Sequence, residues 1–446
     1  MKSRIRIRSA RGKIFCYRRQ KEYAIMDSSD PRRCARISGK STVPMENGMA
    51  DIREYFQKKQ KRPDRETDDF KKQIRKHRIK VFLRLTGIAA VLGILTIVVV
   101  IQLKNQTYSG FVVVSAVEKE VYSNSTVKAY QNGFLTYSKD GISYTDSKGN
   151  AVWNQTYQMQ SPIVSVRGQW VAAGDYNGHI IYDIDQNGTV QEIDTNLPIR
   201  SLTVSANGVV AAVLEDGSVT WINVYNPSGE KAVSIKTTMQ KSGYPMSIAL
   251  SDSGKLMQVA YLRVESGSMK GVVSFYNFDE VGQNYTDTMV SSYEYTDAVI
   301  PYCAFMNGST AFSVADNELV IYEGAEIPKS VFQLLLNEEI QDVYYDEKHI
   351  GLIFPGSEGQ GKYRLDVYDT AGNRILSYPF SMEYRDILFY RENLIIYNEA
   401  ECIIAGLNGR EKYAGDITEQ TQLLKALGGN RYLAVTKDSL DTIEMK

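Results

Sequence analysis

From residue 110 onward the chain alternates short runs rich in Val, Ile, Tyr and Phe with turns built on Gly, Asn and Asp. That alternation predicts β-strands joined by tight turns, and no amphipathic helical period interrupts it. The turns that follow a strand end align on Gly149, Gly188, Gly229, Gly282, Gly324, Gly372 and Gly409. By subtraction these glycines lie 39, 41, 53, 42, 48 and 37 residues apart. A repeat of that length with four strands per unit predicts a β-propeller, in which each unit is a blade. One blade is too thin to bury its own faces, so blades must stack around an axis.

The second unit reads as strands 162–167, 170–173, 179–183 and 189–193, and the sixth as 339–345, 350–354, 363–368 and 374–378. Seven units are complete. After Ile417 only three strands fit, at 422–427, 432–436 and 442–445, and residues 111–117 form a strand left over at the other end. Pairing the two ends completes an eighth blade and removes both open edges. The expected fold is therefore all-β, an eight-bladed propeller of four-stranded blades, with seven blades as the alternative. Composition alone also permits two β-sandwiches, but the regular period argues against them.

Upstream the pattern changes. Residues 85–103 hold 19 consecutive positions without a charge, about 28 Å as a helix and close to the hydrocarbon thickness of a bilayer. A cleaved signal peptide fits poorly, because a long basic segment precedes the run and no small-residue cleavage site ends it. Residues 81–103 thus predict an uncleaved single-pass transmembrane α-helix. Lys71, Lys72, Arg75, Lys76, His77, Arg78, Lys80 and Arg84 crowd its N-terminal side, whereas Lys104 stands alone on the other before Lys119. Basic flanks stay cytoplasmic, so the expected topology has the N-terminus inside and the 110–446 domain extracytoplasmic at the cell membrane.

Net charge sharpens this division. Lys+Arg 52 and Asp+Glu 52 cancel overall, yet residues 1–84 carry 26 basic and 10 acidic side chains, leaving 26 and 42 for the rest. The two parts sit near +16 and −16. Residues 49–80 read as a basic juxtamembrane segment, disordered or helical, interrupted near Pro63. Residues 1–48 lack apolar periodicity and read as disordered; Met49 opens a more natural start, so the first 48 residues are a candidate over-extended gene start. The basic arm lacks interleaved aromatics or a recognisable module, which argues against nucleic acid as a partner.

Motifs that could carry chemistry are few. Asp183, Asp185, Asn187 and Gly188, closed by Asp194, echo a calcium loop. The competing reading is a hairpin turn, since related turns at Asn226 and Asp369 lack the ligand set. His179 and His349 are the only histidines in the outer domain, in separate units, and no Gly-x-Ser-x-Gly elbow appears. Cys303 and Cys402 lie in apolar strands and read as buried free thiols; Cys16 and Cys34 have no metal-ligand spacing. No nucleotide-binding glycine motif is present, so no catalytic residue, cofactor or enzymatic activity is expected. Loops entering the inner strands carry Arg200, Tyr244 and Tyr295, residue types favoured at binding hot spots. Those loops are expected to expose them as a partner-binding face, the competing account being that they set blade geometry.

Gly149 and Trp153, in the string GNAVW, resemble the blade-docking element of pyrroloquinoline-quinone-type propellers. Only Trp153, Trp170 and Trp221 are present and no vicinal cysteines, so the resemblance supports the packing and not the cofactor. The chain also holds the strings YSKDGI (137–142), WNQTYQM (153–159), LPI (197–199), GYPMSIALS (243–251) and FYNFDEVGQ (275–283). Through these, over residues 50–446, it resembles an uncharacterised clostridial Firmicutes family of single-pass membrane-anchored proteins, catalogued as a domain of unknown function. The resemblance implies an extracytoplasmic propeller-like domain without assigned catalytic residues. The expected function is a cell-surface interaction or scaffold module with a protein or cell-envelope partner. A sensor relaying an outside binding event and an envelope enzyme with a channel-mouth site are the alternatives.

Overall fold

The computed structural model describes residues 65–104, 106–118, 124–265 and 267–446; the expectations for residues 1–48 and for Pro63 fall outside these. Among the described residues a single α-helix, Arg65–Lys104, runs for 40 residues, about 60 Å. It is longer than the expected span, because the charged stretch from Arg65 continues the same helix into the apolar run. Phe70–Gln102 is long and apolar enough to cross a membrane. Its side chains, among them Phe82, Leu85, Leu92 and Ile97, are exposed, which suits lipid and not water. Thr86 satisfies its own hydroxyl by donating to the carbonyl of Phe82 at 2.9 Å, as a polar group in an apolar helix must.

The β region forms eight four-stranded antiparallel sheets. Blades 1 to 7 occupy residues 126–156, 162–194, 199–237, 244–296, 302–335, 342–380 and 386–416, each built from consecutive strands. Blade 8 takes Thr421–Gly428, Arg431–Thr436 and Ser439–Met445 from the C-terminus and Phe111–Glu118 as its outermost strand. The register runs from Phe111 opposite Met445 to Glu118 opposite Ser439, with one irregularity between Val113 and Ser115. The expected closure by the two ends of the domain is what the structure shows.

Adjacent blades share apolar clusters. Between blades 2 and 3, for example, Ala172, Ile181, Ile199, Leu202 and Leu214 are buried together. Aromatic side chains also dock onto turn glycines of the next blade. A Cβ on Gly188 (φ +81°) would sit 2.5 Å from Trp153, and one on Gly372 (φ +84°) 2.4 Å from Phe332. Each glycine both adopts the left-handed turn and leaves room for the ring. The Trp153 resemblance noted in the sequence is thus a packing device.

The junction of blade 8 with blade 1 differs from the rest. Its cluster holds only Phe134, Leu423, Leu433, Val435 and Leu440. Lys425 compensates: its Nζ donates to the carbonyls of Tyr130 at 3.1 Å and Gly133 at 3.0 Å, and to that of Gln131. Deleting residues 442–446 removes most of the partner of the 111–118 strand and reopens this junction. We expect differential scanning calorimetry to show loss of the cooperative transition, or a melting temperature lower by about 10 °C or more; an unchanged transition would refute closure as the stabilising element.

Candidate functional site in the axial channel

Inner strands of a propeller line its axis, so their polar residues decide what the channel can bind. Asp342 opens the inner strand of blade 6 (Asp342–Tyr345) and Asp386 that of blade 7 (Asp386–Tyr390). The two are built alike. Each carboxylate accepts the next backbone N–H, from Val343 at 3.0 Å and Ile387 at 2.8 Å. Each also accepts a tyrosine hydroxyl, from Tyr344 at 3.0 Å and Tyr397 at 3.3 Å.

Burial pushes the Asp386 carboxyl up, the neighbouring Asp342 charge adds to the rise, and the Ile387 and Tyr397 hydrogen bonds oppose it. Burial likewise raises the Tyr344 hydroxyl, helped by both carboxylates. Tyr384 stacks edge-on to Tyr344 at 6.3 Å and to Tyr363 at 5.0 Å; burial and Asp342 push its hydroxyl up to about 12. From blade 1, Lys128 reaches the Val164 carbonyl at 3.4 Å. Burial lowers its ammonium, and the charge of Asp386 partly offsets this. At the far ends of the inner strands Arg167 of blade 2 ties Asp252 of blade 4 at 2.6 Å and donates to the Phe305 carbonyl of blade 5 at 3.0 Å.

Asp342, with Tyr344 and Tyr384 beside it, and Asp386 thus open neighbouring inner strands, and no histidine joins them. His179 is exposed. His349 pairs with Asp346 at 3.0 Å beside the Phe389 ring. Cys303 and Cys402 are buried free thiols, each pushed up to about 12 by burial.

None of the three loop residues singled out in the sequence is fully exposed. Arg200 pairs with Glu215 and Asn177 and lies over the Tyr176 ring at 5.2 Å. Tyr244 is half-buried at the start of the blade 4 inner strand. Tyr295 corrects the expectation of exposure. It lies within the strand Met289–Thr296, is 8% exposed, and shares a 2.7 Å hydrogen bond with Tyr322. Sequence placed it in a loop because the strand runs two residues further than its pattern suggests.

The calcium-loop residues separate as well. Asp185 accepts the N–H groups of Asn187 and Thr189, both at 2.8 Å, and Asp194 accepts that of Asn196 at 2.9 Å. The same turn recurs at Asp146, Asn226 and Asp369. Asp185 is therefore a turn residue. Among the described residues no cluster of three or more His, Cys, Asp or Glu is arranged for a metal.

The family profile that matches the chain spans residues 104–445 and describes a family of unknown function, DUF5711. The chain belongs to DUF5711. No curated protein matches it significantly. Solved structures similar to this DUF5711 chain include BamB from Moraxella catarrhalis, 10% identical, covering 75% of this chain and 100% of that one at a TM-score of 0.46. AztD from Citrobacter koseri is 10% identical over 66% and 86% of the two chains, at 0.46. The Pan2 WD40 domain of Neurospora crassa is 11% identical over 64% and 89%, at 0.40.

Asp183 has a distinct role in the DUF5711 domain. It occupies the inward position held by Val224 in blade 3 and Val367 in blade 6, two residues before the turn Asp or Asn. It is fully buried, and neither carboxylate oxygen has a hydrogen-bond partner. Burial, reinforced by Asp185, pushes its carboxyl up to about 7. A carboxyl raised in the folded state binds its proton more tightly there than in the unfolded chain. Its stabilising contribution is complete below the unfolded value near 4 and is lost as pH rises to 7. Asp183→Val should raise stability by about 1–3 kcal/mol at pH 8, with a smaller gain at pH 5. Urea denaturation at both values checks this, and a gain independent of pH would contradict it.

Proposed function

We propose that this DUF5711 protein is a single-pass membrane protein of the cell membrane, with the basic helix end cytoplasmic and the propeller extracytoplasmic. In this reading the propeller is a non-catalytic interaction module. Its axial mouth at blades 6 and 7 receives a cationic side chain, Arg or Lys, from a protein or envelope partner. The observation that carries the reading is the pair Asp342 and Asp386, opening adjacent inner strands beside Tyr344 and Tyr384. Two like charges held together in a partly desolvated mouth favour an incoming cation, which relieves their mutual repulsion. Aromatic faces add cation–π attraction. Asp386, with its raised pKa, supplies less charge as pH falls, so binding weakens on acidification.

The orientation rests on Lys71, Lys72, Arg75, Lys76, Arg78, Lys80 and Arg84 on one side of the apolar span. Ser357 is exposed in the propeller and Lys72 in the basic part of the helix. In intact cells a membrane-impermeant maleimide should label Ser357→Cys, and Lys72→Cys only after permeabilisation. The reverse pattern would invert the topology.

For the site, the full chain in lipid nanodiscs is titrated with an Arg-rich decapeptide and with its Glu-substituted counterpart. Asp342→Asn together with Asp386→Asn should weaken the basic peptide about tenfold, equivalent to 1.4 kcal/mol, with an unchanged melting temperature. Equal affinity in the double variant would place any binding elsewhere and end this assignment.

A further inference from the structure

The strand that closes the ring is also the first one after the apolar helix. The apolar stretch Phe70–Gln102 ends two residues before the helix does, at Lys104. Four residues later the chain is already fastened to the propeller. The backbone N–H of Tyr108 donates to the Lys412 carbonyl at 2.8 Å, and its side chain packs on the cluster of Tyr413, Ile417 and Tyr432 between blades 7 and 8. Gly110 then exchanges hydrogen bonds with Lys446 at 3.1 and 2.8 Å. Two helical steps and four extended ones reach at most about 17 Å. Head groups take up about 5–8 Å of that reach. By chain length alone, the rim of the ring at Tyr108 cannot stand off a bilayer that holds the span.

The same rim is built for an apolar neighbour. The strand Phe111–Glu118 is the outermost of blade 8, and among the described residues its outer edge pairs with no other strand. Outer strands elsewhere open on a charge: Lys231 in blade 3, Lys329 in blade 5, Arg374 in blade 6 and Glu411 in blade 7. Such a charge keeps a free edge in water and away from other apolar surfaces. The blade 8 strand opens instead on Phe-Val-Val-Val, and its one charge, Glu118, comes last.

Val112, Val113 and Val114 are 41%, 42% and 53% exposed, as open as Val98 and Val99 of the apolar helix. Val114 sits at the irregularity in the register and lies opposite no residue of the neighbouring strand. Val117 is used differently. A Cβ on Gly149 would lie 3.0 Å from it, so the later half of the strand packs on a turn of blade 1. The exposed valines therefore gather in the half that follows the span most closely.

We propose that this rim lies on the membrane and that Val112, Val113 and Val114 enter its interfacial layer, a lipid surface being what covers the uncharged edge. The proposal rests on the single-pass anchoring proposed above. The anchor puts a bilayer within reach of every copy, whereas a second chain must be met by diffusion. The interfacial layer also carries water, which satisfies the free N–H and C=O groups of an edge as hydrocarbon does not. The valines thus dip in while the backbone stays hydrated. Contact through the rim leaves the axial mouth uncovered.

Site-directed fluorescence on the full chain tests this. Cys303 and Cys402 are buried, and Cys16→Ser with Cys34→Ser removes the remaining thiols. Nitrobenzoxadiazole is then attached at Val113→Cys, or at Ser268→Cys, an exposed position of blade 4 on the opposite side of the ring. In phosphatidylcholine vesicles, acyl-chain doxyl lipid should quench the Val113 label about twofold or more beyond the Ser268 label, at every protein-to-lipid ratio and at high salt. Val114→Asp in the same chain should bring the two labels to equal quenching, since a carboxylate resists entry into the membrane. If Val114→Asp lowers the melting temperature, Val112→Ser reads the same contact without a charge. Equal quenching of both labels in the parent chain would overturn the proposal. Shielding of Val113 that grows with protein density would overturn it too, as the mark of a second copy. An alkaline carbonate wash separates the two readings: a chain removed from the vesicles ends both, and one retained with its Val113 label in water ends the rim contact alone.

Discussion

Everything in the β domain depends on one pairing, that of Phe111–Glu118 with Ser439–Met445. No blade buries both faces by itself, so seven intact blades and a fragment would leave two apolar faces in water. The strand that closes the ring comes from the start of the domain, and its neighbours come from the end. Closure therefore spans more than 300 residues of sequence, and its entropic cost must be offset by blade packing. The structure concentrates unusual chemistry at this junction. Its apolar cluster is the smallest of the eight, and Lys425 supplies charge-assisted hydrogen bonds to backbone carbonyls in its place. A lysine held among carbonyls fixes the register of two blades more sharply than apolar contact does, because hydrogen bonds are directional.

Away from that junction, two devices recur from blade to blade. One is the turn in which an Asp or Asn side chain accepts two backbone N–H groups of its own loop, as at Asp146, Asn226 and Asp369. The other is the turn glycine that admits an aromatic ring from the preceding blade, as Gly188 does for Trp153. The first gives each outer strand its start, and the second sets blade spacing. Together they explain why the glycine spacing exposed the architecture. Gly188 and Gly372 each meet a backbone requirement and a packing requirement at one position, so they recur in step with the blades. Where blade 4 extends its second and third strands to 10 residues each, the period stretches to 53 residues.

Sequence revealed the parts of the molecule that repeat and concealed those that depend on one position. The blade count, the left-over strand and the apolar helix all follow from periodicity, and all appear in the structure. The burial of Tyr295 is not legible locally, because exposure depends on the facing blade, whose Tyr322 hydroxyl no local pattern discloses. Asp183 looked like a ligand because its spacing to Asp185 fits a calcium loop; alternation along the strand instead turns it into the core. Asp342 and Asp386 belong to no motif, yet their positions carry a signal. Both occupy the first position of an inner strand, one blade apart, where other blades place Thr126, Pro162 or Tyr302. Comparing the same position across repeats finds such pairs, whereas scanning for motifs along the chain does not. Lys128 offers a similar signal, a lone charge between Val127 and Ala129 in a strand.

The acidic excess of residues 85–446, near −16, bears on the proposed channel site. A domain with that charge draws cations from a distance, so a basic partner approaching the channel mouth gains in association rate before any contact forms. The gain is greatest at low salt, because ions screen exposed charges beyond about 8 Å at physiological salt.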